Sequence, residues 1–473
     1  MLQGILRPGD QQYEELKRAI SMQKALTVGE HGQPTTGEGG FALIPQALQN
    51  TLAVATAKLE HVQFYRALPK PDETGVVSPF YEYTRQTSLG EDLEPFVDEG
   101  GIPLTEQSKF ERLYAQTKYV ATRRSVTNIM QMATVLSGLS QDAMNAVEIE
   151  TLNGLTYLLK QVDHALFWGD EDANPLGWNG VFTEIERNPF DNVFDLRGEA
   201  LTPELVQEHV SHMVGEGHFA IPDALWMPPT VKTDLAKLAS QRLTYGLQNS
   251  GDVLQLMPNA IATVTDAPVQ LKSDIFMKSP VLPSDSAAGE NHPETAFSVG
   301  VSLSTGGSPG FSGDYLGTYS YKVVAFNAGG HSKPSVAVSN SQVPDSTNNR
   351  IVITISPETG VTVNDATYYK VYRTVKGGTG TYYYIGSVKA SNTSNGRDPV
   401  TFNDDNSWIA GTEKSVLLET KPNVMNFKHV MPPVRIPLAR LGLEVPFMIV
   451  MFGMPIYETP TKIAVVKNIG RVV

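Results

Sequence analysis

The strongest constraint in this chain is one apolar stripe that runs from 144 to 166 and then stops. Met144, Val147, Leu152, Leu155, Leu158, Val162 and Leu166 recur at three-to-four spacing, the period of one helix face. Ser140 stands where an N-cap belongs and Gly169 where a C′ residue belongs, so the spacing predicts a helix over 141–168. At about 1.5 Å per residue it extends roughly 40 Å. A rod of that length sets the long dimension of whatever folds around it.

The rod ends in a distinctive run. Asp163-His164-Ala165-Leu166-Phe167-Trp168-Gly169-Asp170 leads to Asn174-Pro175-Leu176-Gly177-Trp178-Asn179-Gly180. Upstream, Asp98-Glu99-Gly100-Gly101-Ile102-Pro103-Leu104 leads to Phe110. Two long strands are expected around this second run, over 76–83 (Val76, Val77, Phe80, Tyr81, Tyr83) and 110–123 (Phe110, Leu113, Tyr114, Tyr119, Val120). The alternation is imperfect, so both faces of such a hairpin are mixed. An isolated two-stranded ribbon is barely stable in water, and this one needs cover from elsewhere.

At 473 residues the chain is too long for one small core and predicts two or three domains. It contains no Cys, which excludes a disulfide scaffold, a Cys-ligated zinc and a thiol nucleophile. The start, Met1-Leu2-Gln3-Gly4-Ile5-Leu6-Arg7-Pro8-Gly9-Asp10, predicts no secretory signal. The most apolar late segment, 446–455, is too short to span a bilayer and reads as buried strand, so a soluble protein without membrane contact is expected. Net charge of −13 argues against a nucleic-acid reader, which needs clustered Lys and Arg.

Residues 10–27 carry a helical pattern (Tyr13, Leu16, Ile20, Leu26), and 29–40 read as a flexible link before Gly39-Gly40-Phe41-Ala42-Leu43-Ile44-Pro45. From 201 to 239 helix and strand alternate: a helix from Thr202-Pro203-Glu204, a strand at Ala224-Leu225-Trp226-Met227, a helix from Pro229, and a further strand at Ala267-Pro268-Val269-Gln270-Leu271.

The chain then changes character. All 14 Met lie outside 278–424, whereas half of the 18 Tyr lie inside it. That contrast marks a separate module. Short strands are expected at 318–326, 336–338, 351–355, 368–374 and 382–388, punctuated by Asn327-Ala328-Gly329-Gly330, Lys376-Gly377-Gly378 and Ser394-Asn395-Gly396. This is the pattern of an all-β sandwich. The stretch 317–335 is similar to immunoglobulin-like and fibronectin type III modules.

A long helix ending in Gly169, an Asn174-Pro175-Leu176-Gly177 loop after it and a Glu99-Gly100-Gly101-Ile102-Pro103 hairpin before it together resemble the major capsid proteins of tailed bacteriophages. The resemblance implies an α+β, Hong Kong 97-type fold with an N-arm, extended loop, spine helix, and peripheral and axial domains. It divides the chain into an arm and linker at 1–38 and a capsid core at 39–290. Within that core the extended loop spans about 76–120, the spine helix about 141–168 and the axial domain about 200–290. A β-sandwich insertion at 291–420 and a return to the core at 421–473 complete it, with 447–452 and 462–469 as peripheral-domain strands. The implied function is self-assembly into hexamers and pentamers of an icosahedral head enclosing double-stranded DNA without reading its sequence. No catalysis and no cofactor or metal are implied. The implied partners are other copies of the chain, with scaffolding, portal and decoration proteins; the implied location is the virion, after assembly in the bacterial cytoplasm. Glu99, Gly100, Gly101, Ile102 and Phe110 are the expected subunit contacts, with Gly100 and Gly101 bending the tip. The isopeptide crosslink made by some members needs a Lys near the tip; residues 85–108 contain none, and crosslinking is not carried over. The alternatives are an encapsulin-like cargo shell and a secreted glycan-binding β-sandwich protein, which would need a signal peptide and convergent carboxylates.

Four other constellations carry less. His209-Val210-Ser211-His212, with Glu208, Glu216 and His218, could share a helix face for zinc, but without His-Glu-x-x-His a solvated face is expected. Asp404-Asp405-Asn406-Ser407 lacks the Gly and closing Glu of a calcium loop and reads as a polar turn. Thr305-Gly306-Gly307-Ser308-Pro309-Gly310 has no Gly-Lys-Ser/Thr to make it a phosphate loop. Asn392-Thr393-Ser394 matches a glycosylation sequon without a secretory context.

Overall fold

The computed structural model describes residues 58–71, 80–90, 96–99, 101–102, 105–128, 146–215, 217–243, 259–265, 268–287, 291–294, 296–340, 343–358, 365–393, 396–440 and 442–472. The helix expected over 10–27, the link 29–40, the Gly39-Gly40 run, the Ser140 cap, Met144 and Gly100 lie outside these residues. The described part is a mixed α+β structure.

In chain order, helix α1 (Phe64–Ala67) precedes strands β1 (Phe80–Ser88), β2 (Lys109–Gln116) and β3 (Lys118–Thr127). Next come α2 (Ala146–Trp168), α3 (Val181–Arg187), β4 (Val193–Asp195), α4 (Pro203–Val214), β5 (Ala224–Met227), α5 (Pro229–Leu243), β6 (Ala260–Ile261) and β7 (Val269–Ser273). A strand-rich stretch follows: β8 (Phe297–Ser304), β9 (Ser320–Asn327), β10 (Gly330–His331), β11 (Val338–Ser339), β12 (Arg350–Pro357), β13 (Tyr368–Arg373), β14 (Tyr383–Lys389), β15 (Ser391–Thr393), β16 (Gly396–Asp398) and β17 (Val400–Asp404). The chain closes with β18 (Glu413–Leu418), β19 (Met425–Pro437), β20 (Glu444–Tyr457) and β21 (Ile463–Ile469).

Helix α2 buries Val147, Leu158, Leu159, Val162, Leu166 and Phe167. It crosses the antiparallel β19-β20-β3 sheet at Gly154, where a Cβ would come within 2.8 Å of Ile449 Cδ1. The stripe therefore runs through 147, 154 and 158, and Leu152, expected within it, is exposed. Full burial of each Leu or Phe contributes about 1.5–3 kcal/mol. The end of the helix is fixed by backbone contact. Gly180 N donates to Gly169 O at 2.9 Å, and a Cβ on Gly169 would lie 2.3 Å from Trp178 O.

The six-stranded sheet β4-β21-β18-β5-β7-β6 corrects two expectations. Strand β21, expected in the same domain as 447–452, pairs instead with β18 and β4 of a different sheet. Strand β18, expected within the 291–420 insertion, pairs with β5 of the 200–290 region. The alternation of side chains explains both placements. Trp226, Val416, Leu418, Ile463 and Val465 face the α2 core, whereas Leu225, Met227, Leu417, Ala464 and Val466 face α4 and α5. A strand buried on both faces reads as an unbroken apolar run, so its sheet cannot be told from its sequence. Helix α4 starts where expected, with Thr202 Oγ1 accepting from Leu205 N at 3.3 Å.

Within 297–404 two sheets form: β10-β9-β13-β14, with β11 also on β9, and β17-β12-β8. Tyr321, Val323 and Val371 of the first share a core with Ile351, Ile353 and Ile355 of the second. Strands β8 and β17 were not foreseen: three Ser and a Gly interrupt the apolar residues of β8, and β17 is only five residues, Val-Thr-Phe-Asn-Asp.

Candidate assembly surface

Strands β1 and β2 pair antiparallel from Phe80↔Gln116 to Ser88↔Lys109, with an irregularity after Gln86. The second long strand expected over 110–123 is split at Thr117: β2 belongs to this ribbon and β3 to the body. No residue of β1 or β2 is buried. The two faces differ, however. Tyr81, Tyr83, Leu113 and Ala115 are half-buried, and Lys428 Nζ bonds Tyr81 Oη while lying 3.7 Å from its ring centroid. The opposite face, Phe80, Glu82, Thr84, Gln86, Phe110, Arg112, Tyr114 and Gln116, is entirely exposed. There Phe80 and Tyr114 meet edge-on at 6.5 Å and Phe110 is 65% exposed. Three exposed aromatic rings among polar residues on one face mark a candidate interaction site.

At the tip, Gly101 N donates to Asp98 O at 2.8 Å, closing a turn over 98–101. A Cβ on Gly101 would lie 3.1 Å from that carbonyl, so close approach, and not a left-handed φ, favours glycine there. Glu99 and Gly101 are exposed, and Ile102 is 92% exposed beside Phe96 at 85%. The structure thus separates Phe110, opposite Gln86 on the ribbon, from the tip group. Phe80, Tyr114 and Phe96 are candidates that the motif reading passed over. The signal that finds them is apolar residues of β1 and β2 falling on one side of the paired register.

The ribbon departs from a tightly held segment. Tyr65 N donates to Asp163 Oδ1 at 2.8 Å and Phe64 N to Asp274 Oδ2 at 3.0 Å. Burial, then the neighbouring Asp274 carboxyl, pushes Asp163 up from 3.8 to about 8, so it holds its proton at neutral pH.

No group of three or more His, Cys, Asp or Glu side chains suited to a metal occurs among the described residues. His209 does not lie on a solvated face. It is buried and stacks on Phe194 at 4.0 Å, and burial lowers it from 6.5 to about 4. His212 Nε2 contacts Asp191 at 3.2 Å, and His218 Nδ1 contacts Thr461 O at 3.0 Å. Asp404 is likewise no surface turn: it is buried, 2.6 Å from Arg373 Nη1, and accepts from Tyr321 Oη at 2.9 Å. Gly307 is clamped by Asn349, whose Oδ1 accepts its amide at 2.8 Å, leaving that loop's backbone engaged internally.

No protein-family model matches the sequence. The chain is 26% identical over 462 residues to the putative major capsid protein of Enterococcus phage phiEF24C, covering 94% of each. It is 23% identical over 459 residues to the major capsid protein of Staphylococcus phage K, again with 94% of each covered. Among solved structures, one from Gordonia phage Cozz aligns with 93% of this chain and 96% of its own at a TM-score of 0.45 and 9% identity.

Proposed function

We infer that this chain is a phage major capsid protein, a structural subunit that works by self-assembly and performs no catalysis. The observation that carries the inference is end-to-end similarity, over 94% of both chains, to proteins named major capsid protein. The exposed ribbon face supplies the physical counterpart. Phe110 and Tyr114 are largely exposed in the described chain, and a neighbouring copy would cover them.

In this reading the subunit has the Hong Kong 97-type arrangement. The β1–β2 ribbon is its extended loop, α2 its spine helix, the β19-β20-β3 sheet its peripheral domain, and the six-stranded sheet with α4 and α5 its axial domain. The sandwich over about 297–404 is an immunoglobulin-like insertion, supported by its two facing sheets and shared Tyr/Ile core. Glu99, Gly100, Gly101, Ile102 and Phe110 are the residues that contact the next subunit. Hexamers and pentamers of such subunits close an icosahedral head around double-stranded DNA, in the virion, with scaffolding, portal and decoration proteins as further partners. Many modest contacts per subunit let misplaced copies dissociate before closure.

The test is to purify the chain and follow assembly by sedimentation and negative-stain microscopy. Uniform closed shells are expected; a monomer that stays monomeric at high concentration would overturn the inference. Nucleic acid within particles from infected cells, in place of protein cargo, separates the phage reading from an encapsulin-like one.

A further inference from the structure

Where the C-terminal end of α2 meets the outer face of the β9–β13–β14 sheet there is a cavity of about 270 Å³. Trp168, Trp178, Tyr368 and Tyr384 give it aromatic walls, Lys370 gives it a basic group, and His164 lines it as a neutral ring. Lys370 Nζ lies 4.8 Å from the Phe326 ring centroid and 5.8 Å from that of Tyr384, and no carboxylate pairs with it among the described residues. The acid in the wall is already engaged. Asp170 accepts from Arg187 Nη2 at 2.5 Å, from Ser387 Oγ at 2.9 Å, and from the amides of Asp172 and Ala173 at 3.1 and 3.2 Å.

Burial pushes Lys370 down to about 8, with no acid opposing it, and pushes His164 down to about 3, with Lys370 and Lys160 adding to the effect. Ring faces offset part of the cost of a desolvated ammonium. A carboxylate entering the cavity would offset far more, and would hold Lys370 protonated. The cavity is therefore complementary to an anionic group attached to an apolar one.

The chain carries such a group elsewhere. Between Arg85 and Lys109 there are six acids, Glu91, Asp92, Glu94, Asp98, Glu99 and Glu106, and no Lys or Arg. Beside Asp98 and Glu99 stand the exposed Phe96 and Ile102, which touch nothing that buries them in their own chain. We propose that this cavity receives the hairpin tip of a second copy, the Glu99 carboxylate meeting Lys370 Nζ and the Phe96 ring packing against the aromatic walls. The proposal rests on the capsid reading and adds to it a socket, one wall of which the sandwich builds through Tyr368, Lys370, Tyr384 and Ser387. Charge complementarity selects this occupant, and the same contact would tie the sandwich into the lattice.

Because the sequence has no Cys, a Glu99→Cys/Lys370→Cys double variant can form disulfides only at the engineered positions. Oxidised shells of that variant are expected to give a ladder of covalent multimers on non-reducing gels, absent from either single variant. Lys370→Glu should raise the concentration needed for assembly about tenfold or more, and Glu99→Lys combined with Lys370→Glu should bring it back towards the unmodified value. Shells without a ladder, together with Lys370→Glu assembling at the unmodified concentration, would overturn the proposal while leaving the capsid reading intact. Failure of the unmodified chain to form shells would overturn that reading and the socket with it.

Discussion

The carboxyl of Asp163, on α2, stands close to that of Asp274, and the two together hold the backbone amides of Gln63, Phe64 and Tyr65. Two buried carboxyls at one place are stable only when one carries a proton. Asp163 is raised from 3.8 to about 8, so the folded chain binds a proton there that the unfolded chain releases above about pH 4. The stability this contributes is present in full below about pH 4 and is lost as pH rises through about 8. Asp163→Asn should therefore melt close to the unmodified protein at pH 5 and above it at pH 9. Thermal melts across that range check the expectation; an Asn variant less stable at pH 9 would contradict it.

Phe110→Ser on the ribbon face and Ile102→Ser at the tip remove apolar groups that the subunit itself does not bury. Subunit stability should change by no more than about 0.5 kcal/mol, whereas shell formation should be lost or need much higher concentration. Denaturation of the dissociated subunit and light scattering of the assembling one measure the two effects separately.

Arg373 is enclosed in the sandwich, bonded to Asp404, Asn406 Oδ1 and the Trp408 carbonyl. Arg373→Ala leaves the Asp404 carboxylate buried without its cation and should cost about 3–5 kcal/mol. Chemical denaturation followed by tyrosine fluorescence, to which this region contributes half of the Tyr residues, should show an early transition in the variant.

Gly180→Ala places a methyl 2.5 Å from the Phe167 carbonyl at the end of α2. Backbone atoms cannot yield as a side chain can, and a loss of about 3 kcal/mol or more is expected. Gly177→Ala, whose nearest neighbour would be 3.5 Å away, is the tolerant control in the same loop.

His209 is lowered from 6.5 to about 4 by burial against Phe194 and by the nearby His212. Its neutral ring contributes stability that is present above about pH 6.5 and is lost as pH falls through about 4. The loss should reach on the order of 2–3 kcal/mol. His209→Phe keeps a ring in place and should flatten the acid side of the stability profile.

The parts legible in the sequence were those whose signals are local. The stripe of α2, the Thr202 cap, the turn-punctuated strands of the sandwich and the mixed faces of the ribbon all depend on neighbours within a few residues. Sheet membership is not local. Strands β18 and β21 are buried on both sides and apolar at Val416–Leu418 and Ile463–Val466, so nothing there indicates which partner each takes. His209 and Asp404 were misjudged for a related reason: a polar residue in a polar run looks solvated until the opposite element, carrying Phe194 or Arg373, is brought against it. Of the expected contact residues, the motif located the tip, but Phe80 and Tyr114 became visible only with the β1–β2 register.

Only Thr117, itself buried, separates the ribbon's return strand from the strand that pairs with β20 along Glu444↔Thr127 to Gly453↔Lys118. A pull on the ribbon is thus delivered as shear along a ten-residue ladder, where many hydrogen bonds must break together, and not as peeling, where they would break one by one. A container assembled from such parts would carry that load, within each tile, on ordinary backbone bonding.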